Sequence, residues 1–293
     1  MIYLALLILS FSLTYFIKNY YIKHALLEEV NERSSHTVPT PNGGGIGLAF
    51  TWFIGLFYLH LTSQIDTSLF YALVVGVIIS FVSFFDDLYD LSPKIRLLTQ
   101  ALVALCGLYF LGGFTELSLF GLHVENQILL NVFAFLLIVW FINLYNFLDG
   151  INGYAGSEIV FLCFAGFMLF SGDHFVVLAV ASLGFLFWNF GNAKIFMGDV
   201  GSTLLGYNVA IFTLYYGNQN TIDFWVWIAL FSLFWIDATF TLLNRLRKRE
   251  KLSQAHKEHI YQRLTQIGWS HSRVVVLSIF INFAILGIVI LIK

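Results

Sequence analysis

The sequence predicts an all-α, polytopic membrane protein of about ten transmembrane helices, and three observations lead there. Hydrophobic residues fill 59% of the 293 positions and charged residues only 11%, against roughly 25% charged in a soluble domain. The apolar residues also gather in runs close to the length a bilayer demands, roughly 17–25 residues. Proline is scarce, at three, which suits long uninterrupted helices. A soluble core could not hide this much apolar surface, whereas lipid can.

Taken in order, the runs cover 1–17, 46–62, 69–85, 97–112, 127–145, 153–171, 175–190, 200–216, 223–243 and 273–292. The first lacks a basic leader and a small-residue cleavage site, so it reads as a retained helix rather than a cleaved signal. No repeat, linker or low-complexity tract divides the chain, and residues 1–293 are expected to form one domain. Cys106 and Cys163 both sit inside apolar runs and read as small core residues. A net charge of -2 argues for no nucleic-acid partner.

Nine connections join these runs. Lys18, Lys23 and Arg33 fall in the first, Lys94 and Arg96 in the third, Lys194 in the seventh, and Arg245 to Arg273 in or beside the ninth. Only Lys293, at the C-terminus, lies elsewhere, and the even connections hold no Lys or Arg. The positive-inside rule then places odd connections in the cytoplasm and both termini outside. The even connections read as simple turns. The polar clusters fall on the odd ones, as an enzyme with cytosolic substrates requires; a pore would line its helix interiors.

The third connection carries Asp86, Asp87 and Asp90 just after Phe84-Phe85. Neighbouring carboxylates repel unless a cation or proton is shared, and such oxygen donors suit Mg2+. The fifth carries Asn143 and Asn146, three apart on one helical face, with Asp149 expected to continue that face. Gly150 and Gly153 then permit a tight turn and close approach by a ligand. In the seventh, Asp199 stands between Gly198 and Gly201 at a helix start, where it reads equally as a metal ligand or an N-cap. The ninth holds His256 and His259, three apart on an expected helical face among Lys257, Arg263 and Arg245, a phosphate-binding pattern better than a zinc one. Its Arg247–Lys251 stretch suits lipid headgroups. In the first connection, Pro39 and Pro41 fix an extended path, and the N–H groups of Gly43, Gly44 and Gly45 are suited to an anion. Asp237 lies within an apolar run, where a charge is functional by default; a structural partner is the competing reading.

Five ordered motifs carry a resemblance: Arg33-Ser34-Ser35-His36 with Pro39-Thr40-Pro41 and Gly43–Gly45; Asp86-Asp87 with Asp90, Arg96 and Gln100; Asn143 with Asn146, Asp149 and Gly150; Met197-Gly198-Asp199 with Ser202; and His256, His259 and Tyr261 to Leu264. Together they resemble the polyprenyl-phosphate N-acetylhexosamine-1-phosphate transferases (MraY/WecA type), from about residue 31 to 264. Asn42 stands where the family pattern has Arg. The resemblance implies transfer of an N-acetyl sugar-1-phosphate from a UDP-sugar to undecaprenyl or another polyprenyl phosphate, with UMP leaving, at a bacterial cytoplasmic membrane. This is the step that initiates surface glycans such as O-antigen. It further implies that Asp86 and Asp87 are the catalytic carboxylates, and that Asn146 and Asp199 hold Mg2+, or Mn2+ in its place. Arg96 would bind phosphate and Asn143 substrate. Asp149 and Asn152 would face the nucleotide, and His256 and His259 the donor diphosphate. A homodimer is the family-level expectation.

Two rival readings use the same residues. An intramembrane prenyltransferase also uses D-D-x-x-D, but needs a second aspartate-rich motif, and Asp149 and Asp199 are solitary. A lipid transporter needs several charges deep in its spans, and only Glu158 and Asp237 qualify. The sidedness is testable directly. Cysteines introduced at Thr67 and Ser253 are expected to react oppositely with an impermeant thiol reagent in intact cells, position 67 from outside and 253 not.

Overall fold

The computed structural model describes residues 1–28, 39–119, 121–250 and 256–293; the predicted motif residues Arg33, Ser34, Ser35 and His36, and Lys251, lie outside the described residues. Each of the ten apolar runs falls on a helix. These are α1 (Ile2–Lys23), α2 (Gly45–Leu61), α3 (Thr67–Val74) continued by α4 (Gly76–Tyr89), α5 (Pro93–Leu111), α6 (Gln127–Phe147), α7 (Tyr154–Phe170), α8 (Asp173–Asn189), α9 (Asp199–Gln219), α10 (Thr221–Leu230) with α11 (Ser232–Arg247), and, after the short α12 (Ile260–Gln266), α13 (His271–Ile292). Five are long and apolar enough to cross a membrane, counting α3 and α4 as one, and a sixth if α10 and α11 are one span.

The remaining helices differ from these in length, polarity or straightness. The α2, α7 and α8 helices have 17 residues each. The α9 helix is buried at every residue from Val200 to Leu214 and faces protein rather than lipid. It packs on α2, α3, α4, α5, α6 and α10, so it tolerates Thr, Tyr and Asn where a lipid-facing helix would need hydrocarbon. The α10/α11 pair bends by 71°. The indole of Trp235 donates to the Ile228 carbonyl there, at 2.8 Å, satisfying a backbone acceptor beside the break.

Two small antiparallel pairs interrupt the helices: β1 (Leu27–Glu28) with β2 (Thr40–Pro41), and β3 (Leu117–Leu119) with β4 (Leu122–Val124). The second corrects the expectation that the even connections are simple turns. The fourth is a hairpin tied to the bundle by Ser118, whose N–H donates to Thr221 Oγ1 and whose carbonyl accepts from Trp225 Nε1.

Between helices, several buried polar groups pair off, as a low-dielectric interior favours, while Asn208, Trp52, Trp227 and Ser182 hold side-chain polar atoms with no hydrogen-bond partner among the described residues. Ser10 Oγ donates to the Ala181 carbonyl, Tyr207 Oη to that of Ala72, and Tyr145 Oη to that of Ala155. One pair is half-satisfied. Asn282 Nδ2 of α13 donates to Glu158 Oε2 of α7 at 2.6 Å, while Glu158 Oε1 and Asn282 Oδ1 have no partner among the described residues. Asn282 Oδ1 is an acceptor, and a donor on the side chain at 158 completes the pair. The variant Glu158→Gln supplies one and is expected to leave the melting temperature unchanged or higher. Glu158→Ala, which strands Asn282 and opens a cavity, should lower it by the equivalent of about 2 kcal/mol or more. Equal destabilisation by both would refute this account.

Candidate active site

At the end of α4, burial and hydrogen bonding sort the predicted carboxylates. Asp86 is buried, and its Oδ1 accepts from the Leu91 N–H at 2.8 Å while its Oδ2 pairs with Arg96 at 3.3 Å. Asp90 closes α4 in a left-handed conformation (φ 50°) and is exposed. Asp87 points the other way, toward α9. Its Oδ1 accepts from the Asp199 N–H at 3.2 Å, and the Val200 N–H also donates to it. Those are the first N–H groups of α9, which have no partner within the helix. Asp87 therefore caps α9 from a neighbouring helix.

This geometry removes the N-cap reading of Asp199. The residue at the cap position is Gly198, and Asp199 is already helical, with no cap bond from its side chain. Its carboxylate instead accepts from Asn146 Nδ2 at 2.8 Å and lies within hydrogen-bonding reach of Asp86. Asn146 Nδ2 also donates to Ser202 Oγ at 2.9 Å. Gly198 allows the arrangement, since a Cβ there would lie 2.8 Å from both Asp87 Oδ2 and Asn42 Oδ1. Three carboxylates thus meet at the start of α9, with Arg96 paired to one of them. Among the described residues, no group of three His, Cys, Asp or Glu side chains encloses a metal site by itself.

Asn42 lies beside Asp87, and its own Oδ1 accepts from the Gly43 N–H at 2.9 Å. The next two glycines do not face an anion, contrary to expectation. The N–H groups of Gly44 and Gly45 donate to the Phe196 and Met197 carbonyls, both at 2.8 Å, and the Phe196 N–H donates to Pro41. This strand-like contact welds the first connection to the seventh.

The fifth connection departs from the predicted helical face, because α6 ends at Phe147. Asn143 and Asn146 stay on α6 and share one cleft; Asp149 lies in the following turn and does not line it. Asn143 forms a reciprocal amide pair with Gln100 (2.7 and 3.2 Å) and also donates to Val139, so much of its hydrogen-bonding capacity is taken up. Asn152 also stays outside the cleft, donating through Nδ2 to the Gly191 carbonyl at 2.7 Å. Gly150 serves packing rather than a ligand: a Cβ there would collide with Tyr261 Oη, which donates to Phe147 O.

The two histidines meet without sharing a helix. His256 precedes α12, His259 sits at its N-cap, and their rings lie 4.9 Å apart. Burial, reinforced by His259 and Arg245, pushes the His256 imidazole down to about 4. The basic residues around them are engaged: Arg245, Lys248 and Arg263 all pair with Glu258, and Arg245 also with Glu250. Each of these three cations therefore already has a carboxylate partner.

Asp86, Arg96, Asn143, Asn146, Asp199, His256 and His259 line one cleft of about 460 Å³. Gln100, Ser83, Thr203 and Gln262 line it too and had received no role from the sequence. Gln100 was the most findable, four residues after Arg96 and so on the same face of α5.

Comparison with known proteins follows this geometry. The sequence profile of glycosyl transferase family 4 matches residues 69–217, which include Asp86, Asn146 and Asp199. A probable undecaprenyl-phosphate N-acetylglucosaminyl 1-phosphate transferase of Bacillus subtilis (strain 168) is 30% identical over 287 residues, covering 92% of this chain and 78% of the relative. The undecaprenyl-phosphate alpha-N-acetylglucosaminyl 1-phosphate transferases of Thermotoga maritima and Escherichia coli (strain K12) are 28% and 30% identical, covering 96% and 87% of this chain and 87% and 73% of their own lengths. With half of its length matched by the profile and most of it aligned to these relatives, the chain belongs to glycosyl transferase family 4.

Proposed function

We propose that this protein transfers an N-acetyl sugar-1-phosphate from a UDP-sugar to a polyprenyl phosphate at the cytoplasmic face of a bacterial inner membrane. The observation that carries the reading is the convergence of Asp86, Asn146, Asp199, Arg96 and two histidines on one cleft. An oxygen of the lipid phosphate attacks the sugar-bearing phosphorus of the donor. A P–O bond forms to the lipid, the bond to UMP breaks, and UMP leaves with the electron pair.

The reaction brings two anions together, so charge must be offset. The carboxylate oxygens of Asp86 and Asp199, with Asn146 beside them, suit Mg2+, which commonly takes one or two carboxylates and completes its shell with phosphate oxygens and water. When bound, the ion would neutralise charge on the reacting phosphates. Arg96, half-exposed beside Asp86, and the two histidines that line the same cleft suit the donor diphosphate. A second groove, lined by Leu136, Val139, Trp140, Asn143, Phe147 and Leu242, shares its last three named residues with the cleft. It suits the isoprenoid of the acceptor. On this reading the ten helical units cross the membrane with both termini outside.

Membranes containing the protein, given radiolabelled UDP-N-acetylglucosamine and undecaprenyl phosphate, are expected to move label into the lipid fraction. EDTA should abolish the transfer and Mg2+ restore it. The variant Asp199→Asn should lose roughly 100-fold or more in turnover with an unchanged melting temperature, since Asp87 supplies the cap and an amide at 199 still accepts from Asn146. Near-normal turnover in that variant would remove the metal assignment, and label confined to water-soluble products would remove the function.

His256 adds a pH signature. Unfolded, it protonates near 6.5, and folded near about 4. Between these values the unfolded chain binds more protons, so this group's contribution to stability rises with pH through that window and is lost on acidification. Melting temperatures of wild type and His256→Gln, measured from pH 4 to 7, should show a shallower acid decline in the variant.

A further inference from the structure

Asp237 is a buried carboxylate with no role in the chemistry above. It lies in α11 beyond the bend, 4% exposed. Its Oδ1 accepts from the Ile260 N–H at 2.9 Å and from Thr241 Oγ1 at 3.2 Å, and its Oδ2 from the Tyr261 N–H at 3.4 Å. Those two N–H groups open α12. The same Oδ1 lies 3.4 Å from Nδ1 of His259, which is 2% exposed and lines the cleft. The rings of Phe147 and Tyr261 lie near-parallel to the imidazole, at 27° and 18°, with centroids 6.4 and 5.8 Å away. Gln262 Oε1 takes the His259 N–H at 3.3 Å, which fixes the backbone beneath the ring.

An imidazole has two nitrogens, and a partner on one decides which the other can serve. We infer that Asp237 is the positioning residue of His259: it fixes the entry to α12 and accepts from Nδ1–H, so that a ring carrying both protons presents Nε2–H as the donor to anionic oxygens of a nucleotide diphosphate in the cleft. The inference rests on the donor-binding reading of the cleft for its kinetic consequence, but not for its geometry. Asp237 touches no substrate. It acts through the ring, as carboxylates behind metal- or phosphate-directed histidines do.

The deciding variant is Asp237→Asn, which with its oxygen at the Oδ1 position keeps the acceptor for Ile260 and Thr241 but removes the negative charge beside Nδ1. In detergent-solubilised protein selectively labelled with 15N-histidine and free of substrate, the His259 ring signals, assigned with His259→Ala, should shift in Asp237→Asn. In kinetics, the variant should raise KM for the UDP-sugar about tenfold, with kcat and the KM for polyprenyl phosphate within about twofold. In a His259→Ala background the same substitution should add nothing, since coupled residues are not additive. Unshifted ring signals, or an undiminished KM effect without the histidine, would overturn the assignment. If His259→Ala itself leaves donor KM unchanged, the donor contact fails and the ring signals alone decide the positioning. Should Asp237→Asn fold poorly, Thr241→Val loosens the same carboxylate and is expected to shift the same signals by less; no shift there would count against the proposal.

Discussion

The start of α9 is the constraint on which the site depends. A helix start leaves N–H groups that have no partner inside the helix, and each one left unpaired away from water costs on the order of 1–3 kcal/mol. Asp87 answers that need from α4. Much else follows. Position 198 must lack a side chain, because Asp87 and Asn42 occupy the space a Cβ would take. The α4 and α9 helices must stay in register, which the Ser83–Thr203 hydroxyl contact at 3.0 Å reinforces. Asp199, relieved of capping, turns its carboxylate toward Asn146 and Asp86. Two adjacent aspartates therefore have different physical tasks. Asp86 faces the cleft, while Asp87 holds the helix whose first residue faces it.

The same device recurs at α12, where Asp237 of α11 receives the first N–H groups of another helix. In both places a carboxylate distant in sequence does what a local Ser or Asp does in a water-exposed helix. Each such helix start is then fixed to its neighbour as well as stabilised. This suits a site built from loop ends, where a small displacement of a ligand-bearing residue would be costly.

That arrangement also explains what could be read from the sequence. Apolar runs located the helices, and residue type with order located Asp86, Arg96, Asn146, Asp199, His256 and His259, which the fold gathers into one cleft. Spacing failed where a bond's destination mattered. Asp149 was projected onto a helix that ends at Phe147. Asn152 and the amide of Asn143 carry the right chemistry, but Gly191 and Gln100 engage them. The glycine run proposed for an anion pairs with backbone some 150 residues later. In the basic loop, Arg245, Lys248 and Arg263 already pair with Glu250 or Glu258. Sequence displays hydrogen-bonding capacity; only the fold shows where that capacity is already filled.

The groove between α6 and α11 shares Asn143, Phe147 and Leu242 with the reactive cleft. A substrate whose tail occupies it arrives by sliding sideways, and never needs to enter water. Saturation is then governed by a mole fraction in a two-dimensional solvent, whereas the water-soluble donor obeys an ordinary volume concentration. Diluting the membrane with inert lipid should starve such an enzyme even when the total amount of acceptor is unchanged. A cell could accordingly throttle glycan initiation by how it partitions a scarce lipid carrier, without touching its nucleotide-sugar pool.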